Sequence, residues 1–305
     1  MIKDLLISHV DLDGVSPNVL LGLTGRKFEY KNIEIMDVDK TFDEYFSKDM
    51  TKYENIYICD LTLTEHAYEL IKNANLNNVH VFDHHLSHYF AKDYDFTDIR
   101  VDIDGVKTCG TELFYLYLKD KYKNLNTNLI KEYVSLVRQL DTYTFEDEES
   151  AQNLNNLHDL LGHKEFVSTM TKRLKKNKEH FEFTQFEKRL FKIERNKINR
   201  YMNNKDSEMK RYTIDGKKCG VVFAESNKSE TGNYLSNKYP ELDLIILLDA
   251  SSRISYRTSR NDVDLNEFTS NYGGGGHAKA AGSKFTDEDR QKVIEMYFKK
   301  VKIDE

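Results

Sequence analysis

Residues 8–14 read Ser-His-Val-Asp-Leu-Asp-Gly, so His9, Asp11 and Asp13 put three potential metal ligands within five positions, just after the apolar run Leu5-Leu6-Ile7. Similar groups recur further along. The run Asn55-Ile56-Tyr57-Ile58-Cys59 ends at Asp60, and Asn78-Val79-His80-Val81-Phe82 ends at Asp83-His84-His85. Asp141 follows an amphipathic, helix-like stretch. Unpaired carboxylates gathered in one place raise one another's pKa and destabilise a fold, and a divalent cation relieves that repulsion. Asp and His without Cys suit manganese or a similar first-row ion better than structural zinc, with magnesium or cobalt as alternatives. Two ions about 3.5–4 Å apart, bridged by a shared carboxylate, would hold a hydroxide nucleophile and clamp a phosphate. Any single member of the set also has an ordinary reading, as a helix N-cap or a surface or core histidine; the set taken together is what points to metal. A calcium loop is excluded. Asp11-Leu12-Asp13-Gly14 lacks the late bidentate Glu, and Asp262, Asp264 and Asn266 lack the following Gly.

A second candidate lies near the C-terminal end, where Gly273 to Gly276 precede His277. No Lys-Ser/Thr follows, so this is not a P-loop. The run reads either as a flexible turn or as an anion cradle whose bare backbone N–H groups approach a phosphate. The next five residues, Ala278-Lys279-Ala280-Ala281-Gly282, can begin a small-residue helix packed under the loop. Arg253, Arg257 and Ser259 precede the run on an expected strand. Arg257 reads either as a surface strand arginine or as a two-donor grip on a phosphate.

The elements that must position these groups follow from pattern. Asp4–Ser8, Asn55–Cys59 and Asn78–Phe82 are short, apolar and β-rich, with amphipathic stretches between them. That alternation predicts an α/β fold with a parallel sheet covered on both faces. Ser16-Pro17 reads as an N-cap followed by proline at the first helical position, which places the first motif on a strand-to-helix loop. Open α/β sheets carry their sites there, at the carboxyl ends of strands. Residues 151–205, with one glycine and no proline, are expected to be entirely helical. Their apolar stripe serves either a dimer or the core. From Lys172 to Arg211 there are 14 Lys and Arg against 6 Asp and Glu. This surplus is either the solvated face of a connecting helix pair or an electropositive wall beside an anionic substrate. Cys219–Ala224, Asp243–Leu248 and Ile254–Ser259 read as strands of a second, smaller α/β domain. The expected division is 1–150 for a metal-binding domain, 151–205 for a helical extension and connector, and 206–305 for a substrate-binding domain.

Composition narrows the class. The chain has 305 residues and a net charge of -6, unlike a general coater of DNA. No apolar stretch approaches the roughly 20 residues of a membrane span, and Met1-Ile2-Lys3-Asp4 lacks a signal-peptide layout. Three widely spaced cysteines, Cys59, Cys109 and Cys219, form no CxxC pair. A reducing, cytoplasmic setting fits them.

In order, His9-x-Asp11-x-Asp13-Gly14, Asp60, Asp83-His84-His85 and Asp141 resemble the four motifs of the DHH phosphoesterases. Gly273-Gly274-Gly275-Gly276-His277-Ala278-Lys279-Ala280-Ala281-Gly282 resembles the signature of the DHH-associated C-terminal domain, and Ile254-Ser255-Tyr256-Arg257-Thr258-Ser259 is similar to its RxS strand. The match spans nearly the full length. It implies two manganese sites, the first held by His9, Asp11 and Asp60, the second by Asp13, Asp60, His84 and Asp141, with Asp60 bridging. Asp83 would orient a histidine, and His85 would face the scissile phosphate. Gly274, Gly275, Gly276, His277, Arg257 and Ser259 would bind substrate across an interdomain cleft. Asp-Leu-Asp-Gly in the first motif is similar to one branch of the family's short-substrate oligoribonucleases, while the chain's length is similar to the other. The length leaves no room for the extra domains of the long-strand exonucleases. The resemblance therefore implies short single-stranded RNA or DNA oligonucleotides, or a small nucleotide such as pAp, as substrate. A pyrophosphatase or exopolyphosphatase is the alternative enzyme, and a non-catalytic nucleotide sensor the alternative outside enzymes.

Overall fold

The computed structural model describes residues 3–176, 179–251 and 253–298. Met1, Ile2 and Lys178, used in the readings above, lie outside them. The chain divides into two units, Met1–Phe191 and Lys192–Glu305.

The first unit carries a five-stranded parallel sheet built from β1 (Lys3–His9), β2 (Phe28–Ile33), β3 (Tyr53–Cys59), β4 (Val79–Asp83) and β5 (Thr97–Ile99), in the order β2-β1-β3-β4-β5. A two-stranded ribbon, β6 (Asp102–Ile103) with β7 (Val106–Lys107), follows it. Successive strand residues point to opposite faces, and both faces are covered, as parallel sheets require. Leu5, Ile7, Ile56, Ile58, Val79 and Val81 pack with α2 (Val38–Phe46) and α3 (Glu65–Asn73). Leu6, Tyr57 and Phe82 pack on the other face with α1 (Leu12–Leu23), α4 (Gly110–Lys121), α5 (Asn128–Thr142) and α6 (Glu148–Leu174). The apolar stripe of residues 151–174 is therefore core: Ala151, Leu154, Leu157, Phe166, Met170 and Leu174 are all buried in this second cluster.

Two expectations fail here. The first helix does not start at Ser16. Asp11 is its N-cap, with Oδ1 accepting from Gly14 N at 2.9 Å, and Pro17 lies inside the helix. Pro17 has no N–H, so the Asp13 carbonyl lacks its i+4 donor; the Thr111 hydroxyl donates to it at 2.6 Å instead. Nor are residues 151–205 entirely helical. Gly162 (φ 69°, ψ 163°) breaks α6, and α7 (Gln185–Glu208) starts afresh. The restart has a legible cause in Thr184-x-x-Glu187, a capping box in which Thr184 N donates to Glu187 Oε2 (2.7 Å) and Glu187 N to Thr184 Oγ1 (3.2 Å). α7 runs across the division between the units. Several cations of the basic stretch are spent on neighbours, among them Arg173 on Glu187, Lys197 on Glu194 and Lys205 on Glu208.

The second unit is a six-stranded sheet, in the order β12-β13-β11-β10-β9-β8, built from β8 (Lys210–Ile214), β9 (Lys217–Phe223), β10 (Leu244–Asp249), β11 (Arg253–Arg257), β12 (Gly275–His277) and β13 (Ala280–Lys284). Leu244 and Ile246 face one small core with Phe268 of α9 (Leu265–Ser270). Ile245 and Leu247 face another with Leu235 of α8 (Lys228–Lys238). α10 (Asp287–Tyr297) follows the last strand. The expected helix over 278–282 is instead a turn at Ala278 and Lys279 followed by the start of β13. β13 pairs with both β11 and β12, and this ladder overrides alanine's helix propensity. The glycines permit the close approach: a β-carbon on Gly274 would stand 2.5 Å from the Gly282 carbonyl, and one on Gly276 2.6 Å from that of Ala280. Among the described residues no helix is long and apolar enough to cross a membrane.

Candidate metal centre

Strand register assembles the first half of the centre. Ser8 pairs with Cys59, and Cys59 with Phe82, so the residues that follow them, His9, Asp60 and Asp83, emerge side by side at one sheet edge. The start of α1 adds Asp11 and Asp13, and the last turn of α5 adds Asp141. Ligand atoms of His9, Asp11 and Asp60 lie within 4.8 Å of one another, as do those of Asp13, His84 and Asp141, and those of Asp60, Asp83, His84 and His85. Asp60 faces two of these groups with different oxygens. Its Oδ2 lies 3.9 Å from His9 Nδ1, and its Oδ1 lies 3.4 Å from His84 Nε2. His84 Nε2 is also 3.3 Å from Asp141 Oδ2 and 3.9 Å from Asp13 Oδ2.

The electrostatics fit cations. Asp60 Oδ2, His84 Nε2 and Asp141 Oδ2 are buried and have no hydrogen-bond partner, which is costly for polar atoms unless something binds them. Burial, reinforced by Asp13 and Asp11, pushes the Asp60 carboxyl well above its ordinary pKa and that of Asp141 to about 8. Burial lowers the pKa of His84 and so favours its neutral, ligating form. The hydrogen bond from His9 Nδ1 to Asp11 Oδ2 (2.9 Å) raises the imidazole's pKa. Burial opposes ionisation of Asp11, but that bond and the Gly14 N–H hold its pKa below the ordinary value. Asp60 takes a left-handed backbone (φ 52°), uncommon outside glycine, at the point where it leaves the sheet.

The N-terminus of α4 completes the frame. Gly110 N donates to Asp13 Oδ2 at 2.7 Å and Thr111 N to Oδ1 at 2.9 Å, so two orphan helix donors orient this carboxylate. Neither residue stood out in the sequence.

Asp83 is fully buried, and both of its oxygens are engaged. Oδ1 is bonded to the His84 N–H (2.9 Å) and His85 Nδ1 (2.8 Å), and Oδ2 to His88 Nδ1 (2.5 Å). Burial alone would raise the Asp83 pKa; the two imidazoles outweigh it and hold the carboxyl at about 2. The same bond raises the pKa of His85, against burial. His88 was a histidine without an evident group in the sequence. Its spacing of five from Asp83 is closed by a 3-10 turn over Leu86–Ala91.

No family model matches the chain. Oligoribonuclease NrnB of Bacillus subtilis (strain 168) is 35% identical over 293 residues, which cover 93% of this chain and 73% of that protein. The DHH domain of a protein described as a member of a ribosomal-protein family superposes with a TM-score of 0.62 at 15% identity, covering 96% of this chain and 85% of that one. The chain belongs to the DHH phosphoesterases. A pGpG-specific phosphodiesterase from Vibrio cholerae shares the fold, with a TM-score of 0.53 and 15% identity over 96% of this chain and 97% of that one.

This DHH phosphoesterase thus brings together all the ligand candidates read from its first 150 residues. The other candidates lie in the second unit. Arg257, at the end of β11, donates to the Tyr256 carbonyl (2.9 Å) and Ser229 Oγ (3.0 Å); burial, with Arg253 nearby, lowers its pKa. Ser259 lies beyond the strand, its hydroxyl donating to the Ser236 carbonyl at 2.8 Å. Gly274 N donates to the Thr269 carbonyl (2.9 Å) and Gly276 N to Asn266 Oδ1 (3.1 Å), so these two N–H groups are not the bare donors of the expected cradle. Gly275 and His277 are exposed on the hairpin.

Proposed function

We propose that this phosphoesterase hydrolyses short oligonucleotides to mononucleotides with two divalent cations, manganese being the best match to the donor set, and that pAp-type nucleotides are a further substrate. The observation that carries the reading is Asp60, whose two oxygens face separate ligand groups. His9, Asp11 and Asp60 would hold one cation, and Asp13, Asp60, His84 and Asp141 the other. Bound cations supply Lewis acidity to the phosphoryl oxygens and lower the pKa of an attacking water. The chain does the rest. Asp83 fixes His85 through Nδ1 and favours its protonated form, in which Nε2 donates to a phosphoryl oxygen as charge develops there. Arg257, Ser259 just beyond the strand, and Gly274, Gly275, Gly276 and His277 of the glycine-rich hairpin bind the terminal phosphate or nucleoside. The name of the Bacillus relative supports an RNA substrate, and three buried free cysteines fit a reducing cytoplasm.

The test is hydrolysis of a 5′-labelled RNA ladder of short oligomers, with manganese supplied or chelated, beside a pAp assay. Manganese-dependent release of mononucleotides is expected, abolished by Asp60→Ala. Binding of dinucleotides without cleavage would turn the reading into a sensor, and release of orthophosphate from pyrophosphate alone would make the chain a pyrophosphatase.

A further inference from the structure

Asp83 is a fully buried carboxyl group engaged by two imidazoles. His85 and the His84 N–H engage Oδ1, while Oδ2 is bonded to His88 Nδ1 at 2.5 Å. His88 is itself buried, at 2% exposure, and belongs to none of the ligand groups. Its geometry is over-determined. His88 N donates to the His85 carbonyl at 3.0 Å, which closes the turn, and its ring is boxed edge-on by Tyr68 (centroids 6.1 Å apart, 83°) and Phe90 (6.2 Å, 75°). A buried carboxylate oxygen left without a donor is costly, so the carboxylate swings towards another partner. That swing carries away the oxygen that holds His85 Nδ1. Groups that orient an active-site histidine through its distal nitrogen act on turnover in this way.

We infer that His88 is a positioning residue of the phosphoester reaction: by donating from Nδ1 to Asp83 Oδ2 it fixes the carboxylate that aims His85, without touching substrate or cation. The inference rests on the reading of His85 as the residue facing the scissile phosphate. Asp83, His85 and His88 then form one relay of orientation, in which the outermost member sets the rigidity of the innermost. His88→Asn puts an amide N–H close to where Nδ1 stood and keeps the bond. His88→Gln carries its amide to the Nε2 position and loses it. His88→Leu removes it altogether.

The experiment measures kcat and KM of full-length wild type and variants with manganese, on an RNA dinucleotide and on bis(p-nitrophenyl) phosphate, together with bound manganese. The expected result is a fall in kcat of about 10–100-fold for His88→Leu and His88→Gln on both substrates. KM and manganese stoichiometry stay unchanged, and His88→Asn recovers most of the loss. If His88→Leu does not fold, the Asn and Gln pair decides alone, because equal rates in the two overturn the inference. So do wild-type kcat in His88→Leu and a loss of manganese that accounts for the loss of rate. The double variant His85→Ala/His88→Leu separates the two readings. Acting through His85, His88→Leu adds nothing to His85→Ala. If the losses multiply, the His88 inference fails while the His85 reading stands. If His85→Ala alone keeps full kcat, the His85 reading fails, and the inference falls with it. Cleavage of bis(p-nitrophenyl) phosphate but not the dinucleotide defeats the oligonucleotide reading and leaves the orientation measurable on the simple diester.

Discussion

Gly110 lies so close to Asp60 that a β-carbon on it would stand 2.7 Å from the Asp60 Cβ and 3.0 Å from its Cα and backbone N. These atoms cannot yield by a side-chain rotation. Asp60 N is held by the Phe82 carbonyl at 2.9 Å, and the residue already sits at φ 52°. Gly110→Ala must therefore displace the carboxylate that serves both ligand groups. A shift of about 1 Å in a reacting constellation costs on the order of 100-fold in rate, whereas overpacking costs about 1–3 kcal/mol of stability. The variant is expected to fold, with a lowered Tm, weakened manganese binding and a kcat about 100-fold down. Calorimetric titration with manganese beside a rate assay checks this; wild-type values in both would show that Asp60 is not held by this contact.

The link between Pro17 and Thr111 predicts a compensating pair. The Asp13 carbonyl is served by the Thr111 hydroxyl because Pro17 has no N–H to give. Thr111→Val strands that buried carbonyl, at a cost of about 1–3 kcal/mol. Pro17→Ala in the same background returns the helical donor and should recover part of the loss. Urea midpoints of wild type, both single variants and the double variant measure it. Additive losses in the double variant would refute the exchange of donors.

Where the chain's pattern is local, it could be read directly. Leu5-Leu6-Ile7, Ile56–Cys59 and Val79–Phe82 declare themselves because both sheet faces bury them. The ligands follow those runs by strand geometry alone. β2, Phe-Glu-Tyr-Lys-Asn-Ile, is hidden because this edge strand buries only Ile33 and leaves Tyr30 and Lys31 exposed. Gly110 and Thr111 are invisible for a different reason: each is needed by a residue far away in sequence, so no local spacing marks it. His88 meets Asp83 through a 3-10 turn, whose spacing matches neither strand nor α-helix period. Ala280 and Ala281 mislead because alanine favours helices, while the open edge of β11 offers them a ladder.

His80 predicts a pH dependence of folding away from the metal centre. It stacks on Tyr57 (centroids 5.8 Å apart) and meets Tyr117 (5.0 Å), and burial, with Lys121 nearby, lowers its pKa to about 4. The unfolded chain binds a proton at this residue near pH 6.5; the folded chain refuses it until about pH 4. The stability this residue contributes is thus complete above pH 6.5 and lost as pH falls from 6.5 to 4. His80→Phe keeps an aromatic ring and removes the titration, so Tm against pH should flatten over that window relative to wild type. An unchanged slope would mean that other groups govern acid unfolding.

Chelation should reverse the sign of pH dependence on the alkaline side. Without cations, burial and the neighbouring Asp13 and Asp11 hold the Asp141 pKa at about 8, against an ordinary 3.8. The folded, chelated protein then binds a proton that the unfolded chain has already lost. Its stability is complete below pH 3.8 and declines as pH rises from there through 8. Cation binding needs the carboxylate ionised, so it removes this decline and releases protons near neutral pH. Manganese should therefore raise Tm more at pH 8 than at pH 6, and its titration into weakly buffered protein at pH 7 should acidify the solution. Asp141→Asn carries no titrating proton at this position. Its chelated form should lose less stability between pH 6 and 8 than chelated wild type, while its gain in Tm from manganese shrinks. If chelated wild type and Asp141→Asn showed the same pH slope, the carboxyl cluster would not be the source of strain that a cation relieves.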